Sequence, residues 1–114
     1  KLKVKQKFFN YFIEEQSGTV KLIERTANGI WKHLYEFPMI ESSEPMVFEG
    51  AHLLGSFTHL LSHQKIEAKL WKVNALPAEL SQNKRIFEVS IDSIGNDFPV
   101  HQLMSKMNKL WQDQ

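Results

Sequence analysis

His59 and His63 stand four residues apart in the stretch Thr58-His59-Leu60-Leu61-Ser62-His63-Gln64-Lys65. Imidazole, hydroxyl and ammonium groups at that spacing admit three kinds of chemistry. Two histidines one helical turn apart can share a metal ion, as in an H-E-x-x-H site, because positions i and i+4 lie on one helix face. The glutamate of that motif is missing, and Leu60 follows His59. On an extended chain the same spacing covers roughly 13 Å, too far for two ligands on one ion. His33, His52 and His101 are scattered, with no acidic cluster beside them. Surface or hydrogen-bonding histidines therefore outweigh a zinc site, and no metal is expected. Nucleophilic catalysis by Ser62 with His63 as base also meets an obstacle. Adjacent residues on an extended chain point to opposite faces, and no G-x-S-x-G elbow is present. What remains, on these residues alone, is a polar stretch whose histidines lie at the surface or make hydrogen bonds.

The elements that must hold this loop follow from bounds and periodicity. A chain of 114 residues has room for one domain with one core. Its 42% hydrophobic and 24% charged residues are ordinary globular composition. No apolar run approaches the roughly 20 residues that a helical membrane span needs. The basic start, Lys1 to Lys7, runs straight into strand-like sequence and does not read as a signal peptide. The first residue is not Met, so the expectation is a fragment of a longer protein. There are no cysteines, which excludes disulfides and thiolate metal sites from this segment and is compatible with the cytoplasm. A formal net charge of +1 does not announce nucleic acid, so any such binding must come from a local patch. Lys1, Lys3, Lys5 and Lys7 read as a solvated linker.

Phe8 to Glu15 is aromatic and β-branched throughout and predicts a strand buried on much of both faces. Gln16 to Thr19 is a turn, and Val20 to Arg25 alternates as the returning strand of a hairpin. Leu34 to Phe37 predicts a short strand stopped by Pro38. Ile40 to Gly50 predicts a loop, and Phe48 to Leu54 a short helix. Ile66 to Val73 and Arg85 to Ile91 predict two more strands, the first with one face wet. Val100, Leu103, Met104, Met107, Leu110 and Trp111 follow a 3.6-residue period. They predict a C-terminal helix with Pro99 in its first turn, docked on the sheet. The fold class is α+β: a mixed, mostly antiparallel β-sheet packed with at least one helix, the C-terminal amphipathic one.

One stretch is more distinctive than its composition. Gly29-Ile30-Trp31-Lys32-His33-Leu34-Tyr35-Glu36-Phe37-Pro38 resembles the G-L-W-x-x-L-W-E-F-P signature of the C-terminal domain of A/G-specific adenine DNA glycosylases, the MutY family. His59-Leu60-Leu61-Ser62-His63 is similar to that family's H-x-F-S-H loop, with Leu61 in place of the phenylalanine. The likeness is ordered and covers roughly residues 5 to 114. It implies a single Nudix-like domain over 1–114 that reads 8-oxoguanine, without the catalytic half of the enzyme. The implied partners are double-stranded DNA carrying 8-oxoguanine opposite adenine and an N-terminal glycosylase domain of the same chain. That other domain carries the family's 4Fe-4S cluster; this segment needs no cofactor. The implied setting is the cytoplasm of a bacterium, at its nucleoid. Carried over residue by residue, Ser62 matches the lesion-contacting serine, with Leu61 and His63 flanking it in the reading loop. Lys65, and after it His59 and His63, are candidates for phosphate contact. Trp31 is expected to pack in the core rather than stack on a base.

The Nudix likeness raises an alternative, a nucleotide pyrophosphohydrolase. Such enzymes clamp Mg²⁺ and a diphosphate with clustered carboxylates on a helix. Where the Arg-Glu run of that helix belongs, this chain reads Phe48-Glu49-Gly50-Ala51-His52-Leu53-Leu54. One carboxylate, Glu49, cannot build the cluster, and Glu41 and Glu44 read as solvated.

Overall fold

The computed structural model describes residues 4–83 and 85–114. Lys1 and Lys3 of the basic run lie outside the described residues, while Lys5 and Lys7 open the first strand.

Strand β1 (Lys5–Ile13) is the spine. Its odd-numbered residues Phe9, Tyr11 and Ile13 enter the main core, while Phe12 enters a second cluster on the opposite face. Burial on both faces is why the sequence there is continuously bulky instead of alternating. At Glu14 the chain leaves the first sheet. Glu14 is buried, accepts the Leu76 backbone N–H at 2.8 Å and pairs with Lys21. β2 (Glu15–Gln16) then turns through Ser17 and Gly18 into β3 (Thr19–Glu24). The expected hairpin is present, but its first arm is this short continuation of β1 in another sheet.

The first sheet has the order β5-β1-β7-β6. β1 runs parallel to β7 (Gln64–Lys72) and antiparallel to β5 (Met39–Ser42). β6 (His52–Leu60) pairs antiparallel with β7 along the other side. In the second sheet β3 pairs with β2, with β4 (Tyr35–Glu36) and with β8 (Ile86–Ser90). The main core lies under Ile66, Ala68 and Leu70 of β7 and Val20 and Leu22 of β3. A one-turn helix, α1 (Ala78–Ser81), sets Leu80 into the second cluster with Phe12, Ile40 and Trp71.

The C-terminal helix, α2 (Gln102–Gln112), buries Leu103, Met104, Met107 and Trp111, the expected apolar face. Gly55 lies beneath it. A Cβ there would meet Leu110 Cδ2 at 2.5 Å, so the bare backbone admits the helix. None of the described helices is long and apolar enough to cross a membrane.

Three expectations about local structure are corrected. Ile40 to Ser42, expected in a loop, belong to a strand that starts at Met39. Pro38 interrupts the chain, but its carbonyl accepts the Phe12 N–H at 2.9 Å and feeds the next residues onto the edge of β1. Phe48 to Leu54 is not a helix. Gly50 takes a φ of +77°, and His52 onward is held in β6 by its pairing with β7. Pro99 lies before α2 rather than in its first turn. Its carbonyl accepts the Tyr35 N–H at 2.8 Å, and Val100 bridges to Tyr35, so this segment is extended. His101 then caps the helix, its Nδ1 accepting the Met104 N–H at 3.0 Å.

Candidate functional site

β6 and β7 form a hairpin, and the questioned stretch is its tip. The Leu61 N–H donates to the Gln64 carbonyl at 2.8 Å, closing the turn with Ser62 and His63 at its centre. Both are exposed. The His63 carbonyl accepts the Lys5 N–H at 3.0 Å, so the start of β1 braces the tip from one side. Pleating then sorts the flanking residues. His59 pairs with Ile66 and faces the core side, and Leu60 pairs with Lys65 and faces the other side.

Of the five residues singled out from the sequence, the structure brings Ser62 and His63 together at the exposed tip. Leu61 is partly buried and packs on the main core, which anchors the loop. Lys65 is 44% exposed and lies 3.6 Å from the Glu67 carboxylate, which also accepts the Thr58 hydroxyl. That pair tempers its charge and, being surface-exposed, contributes little stability. His59 points the opposite way, with its ring 5.3 Å from that of Trp31. His59 thus faces the core side of the hairpin, while His63 sits at its exposed tip. Among the described residues no group of three or more His, Asp or Glu is placed to hold a metal ion.

Behind His59 lies a network that the sequence reading did not assemble. Trp31 stacks on His101, ring centroids 3.9 Å apart and 13° from parallel. The Arg25 guanidinium lies 5.9 Å from the Trp31 ring. His101 Nε2 is 2.9 Å from the buried Glu36 carboxylate. Because Nδ1 accepts from Met104, Nε2 carries the proton and donates to Glu36, which fixes the tautomer. The Tyr11 hydroxyl donates to the same oxygen at 3.0 Å, and Arg25 donates to the other at 3.0 Å. Glu36 is therefore satisfied by three donors from β1, the end of β3 and the cap of α2. The sequence held one signal: a carboxylate between Tyr35 and Phe37 in a short apolar strand needs buried partners. It could not name the partners, which come from three distant segments.

The loop carrying Trp31 is locally strained. Trp31 and His33 take φ values of +61° and +72°, conformations that side chains with a Cβ rarely adopt. Three hydrogen bonds hold it: His33 N–H to the Arg25 carbonyl at 2.6 Å, Arg25 N–H to Leu34 at 2.9 Å and Leu34 N–H to Trp31 at 3.1 Å. Strain of this kind persists only where surrounding contacts over-determine it. Here it presses Trp31 between the helix cap and the hairpin.

Burial, and then the charge of Glu36, push the Tyr11 phenol well above its usual value. The folded protein keeps this proton after the unfolded chain loses it, so the unfolded state binds fewer protons at high pH. The stabilisation is complete below about pH 10 and is lost as pH rises above it. Urea unfolding followed across this range should show a falling midpoint, and Tyr11→Phe should flatten that fall.

The region between β5 and β6 is where a carboxylate cluster was sought in the sequence. Residues 43–51 contain no helix, and Glu44 and Glu49 are exposed there. Glu41 pairs with Lys7 at 3.6 Å. These acids do not converge, and the residues present do not fit a Mg²⁺–diphosphate clamp.

No protein-family model matches the chain, and no curated protein matches it in sequence. Solved structures do. The E. coli ORF135 protein has a TM-score of 0.70 at 16% identity, covering 96% of this chain and 91% of that one. A MutT Nudix hydrolase from Burkholderia pseudomallei has a TM-score of 0.68 at 13% identity, covering 92% and 97%. Shewanella oneidensis NrtR, solved in complex with a 27mer DNA, has a TM-score of 0.62 at 10% identity, covering 95% of this chain and 60% of that one. At such identities the likeness speaks for architecture alone. This chain has the Nudix-like α+β fold.

Proposed function

We propose that this domain reads 8-oxoguanine opposite adenine in duplex DNA, as the recognition half of an adenine DNA glycosylase whose catalytic domain lies elsewhere in the parent chain. The observation that carries the reading is the β6–β7 tip: Ser62 and His63 are its two central, exposed residues, where the H-x-F-S-H resemblance puts a lesion-contacting serine. The chemistry suits the target. Guanine presents two acceptors on its N7–O6 edge. Oxidation makes N7 a donor and adds an acceptor oxygen at C8. A hydroxyl both accepts and donates, so Ser62 can take the N7 hydrogen and give its own to O8. That NrtR, of similar architecture, was solved with a 27mer DNA supports a DNA partner.

A second reading, a Nudix-type pyrophosphohydrolase, is favoured by the solved structures taken by name, since the Burkholderia protein is a Nudix hydrolase. The scattered acids between β5 and β6 weigh against it here.

The test of the lesion contact is a fluorescence-anisotropy titration at low salt with duplexes that differ only in 8-oxoguanine or guanine opposite adenine. The wild-type chain should prefer the lesion. Ser62→Ala should narrow that preference by roughly tenfold to a hundredfold, the equivalent of about 1–3 kcal/mol for one hydrogen-bonded discrimination. Equal wild-type affinity for the two duplexes contradicts the reading.

A further inference from the structure

We infer that the outer edge of β6 is a pairing surface for a second copy of this chain, the two β6 strands running antiparallel about a two-fold axis at Thr58. β6 is the last strand of its sheet, with β7 on one side only. At the tip, Leu61 and Gln64 exchange both backbone hydrogen bonds, at 2.8 and 3.4 Å. Antiparallel ladders alternate, so His59–Ile66, Phe57–Ala68 and Gly55–Leu70 are the hydrogen-bonded pairs that follow. Leu60, Thr58 and Ser56 fall between them and aim their N–H and C=O groups away from β7. Among the described residues none of these outward groups meets a backbone partner, and all three residues are exposed. A row of this kind is a template for another extended strand.

The side chains of β6 decide which strand. Every other described strand carries at least one Asp, Glu or Lys, whereas His52–Leu60 holds none of them and no Arg. Proteins ordinarily guard a sheet edge with charge, proline or shortness. The opposite edge, β5, is guarded in this way: it is 4 residues long, follows Pro38 directly and carries Glu41. β6 is 9 residues long and unguarded beyond the bulge between Leu53 and Gly55. A charged peptide finds nothing on this edge to recognise it, while a self-pairing strand must avoid like charges set opposite each other. An axis at Thr58 sets Thr58 against itself, and Ser56 against Leu60 of the second copy, as hydrogen-bonded pairs. Phe57 then meets His59 of the second copy in the closer, non-hydrogen-bonded pair, ring beside ring on the core side. Leu60, 71% exposed in the single chain, gains cover from the second copy's Thr58 on the diagonal. A contact along one strand is small, in the class of weak and transient interfaces under about 1,200 Å², so the dimer forms as concentration rises. Ser62 and His63 lie beyond the paired segment, and the pairing is independent of the lesion reading.

The chain has no cysteine, so a single introduced thiol reports the register. Cα atoms in a hydrogen-bonded antiparallel pair lie about 5.5 Å apart, within disulfide reach. Under copper–phenanthroline oxidation Thr58→Cys should cross-link to itself. Ser56→Cys and Leu60→Cys, each roughly 13 Å from its own counterpart, should stay uncross-linked alone and cross-link to each other when mixed. In sedimentation velocity the wild-type chain should pass from monomer to dimer between about 10 μM and about 1 mM. Thr58→Pro removes an outward N–H and spares the ladder to β7, so it should remain monomeric over that range. A wild-type chain that is monomeric throughout overturns the proposal. So does a folded Thr58→Pro that dimerises as wild type does, or Ser56→Cys that cross-links alone as fast as Thr58→Cys. The thiol variants carry the test by themselves if the proline unfolds β6.

Discussion

Glu36→Ala should destabilise the domain by about 3–5 kcal/mol, the cost of removing one partner of a buried ion pair and leaving the other uncompensated. Glu36 is fully buried and accepts hydrogen bonds from Tyr11, Arg25 and His101. Its removal orphans a phenol, a guanidinium that is only 18% exposed, and an imidazole that must stay oriented to cap α2. Glu36→Gln should cost less, because the amide oxygen can still accept from Tyr11 and His101, which share one carboxylate oxygen, and only Arg25 is left facing the NH₂ group. The contrast between the two variants, read by urea unfolding with tryptophan fluorescence, separates lost charge from lost shape. A loss below about 1 kcal/mol for Glu36→Ala, the size of one ordinary hydrogen bond, means that the network does not hold these three elements together.

Trp31→Ala should cost about 2 kcal/mol or more. A fully buried tryptophan loses about 3–5 kcal/mol on truncation, and Trp31 is partly exposed. What it loses is specific: the parallel stack on His101, the contact with His59 and the guanidinium of Arg25 against its ring. The left-handed backbone at Trp31 is then held by the loop's backbone hydrogen bonds alone. The functional consequence lies on β6. With the ring gone, His59 has no backstop, and the hairpin that carries Ser62 should fluctuate more. Amide hydrogen exchange at residues 59–65 should speed up relative to the centre of β1. Unchanged exchange there, alongside lowered stability, shows Trp31 to be a core residue with no part in holding the tip.

How much of this was legible beforehand depended on how clean each element's period is. β3, β7, β8 and α2 were visible because their apolar residues repeat at two or at 3.6, and β1 because its run of bulky residues is unbroken. β6 was not. Its register shifts between Leu53 and Gly55, which breaks alternation, and Gly55 serves the passage of α2 instead of strand propensity. β5 was hidden by Pro38 and by its own Glu41 and Ser42, residues an edge strand tolerates. The division of the first hairpin between two sheets turns on Glu14, whose partners Lys21 and Leu76 are set by the tertiary fold. At the site, the resemblance located the tip and named Ser62, whereas pleating decided that His59 faces Trp31 and Leu60 faces out. Which way a side chain points is a matter of register, and one residue of slip inverts it.

The hydrolytic alternative bears on the account as a whole, because a Nudix-like scaffold without converging acids should bind rather than cut. The direct measurement is turnover of 8-oxo-dGTP and related nucleoside triphosphates by the purified chain in millimolar Mg²⁺, followed as pyrophosphate release by coupling to inorganic pyrophosphatase. The account predicts no release above that of the buffer, and no change on Glu49→Gln. Steady turnover that Glu49→Gln abolishes would contradict it and give the fold back its hydrolase chemistry.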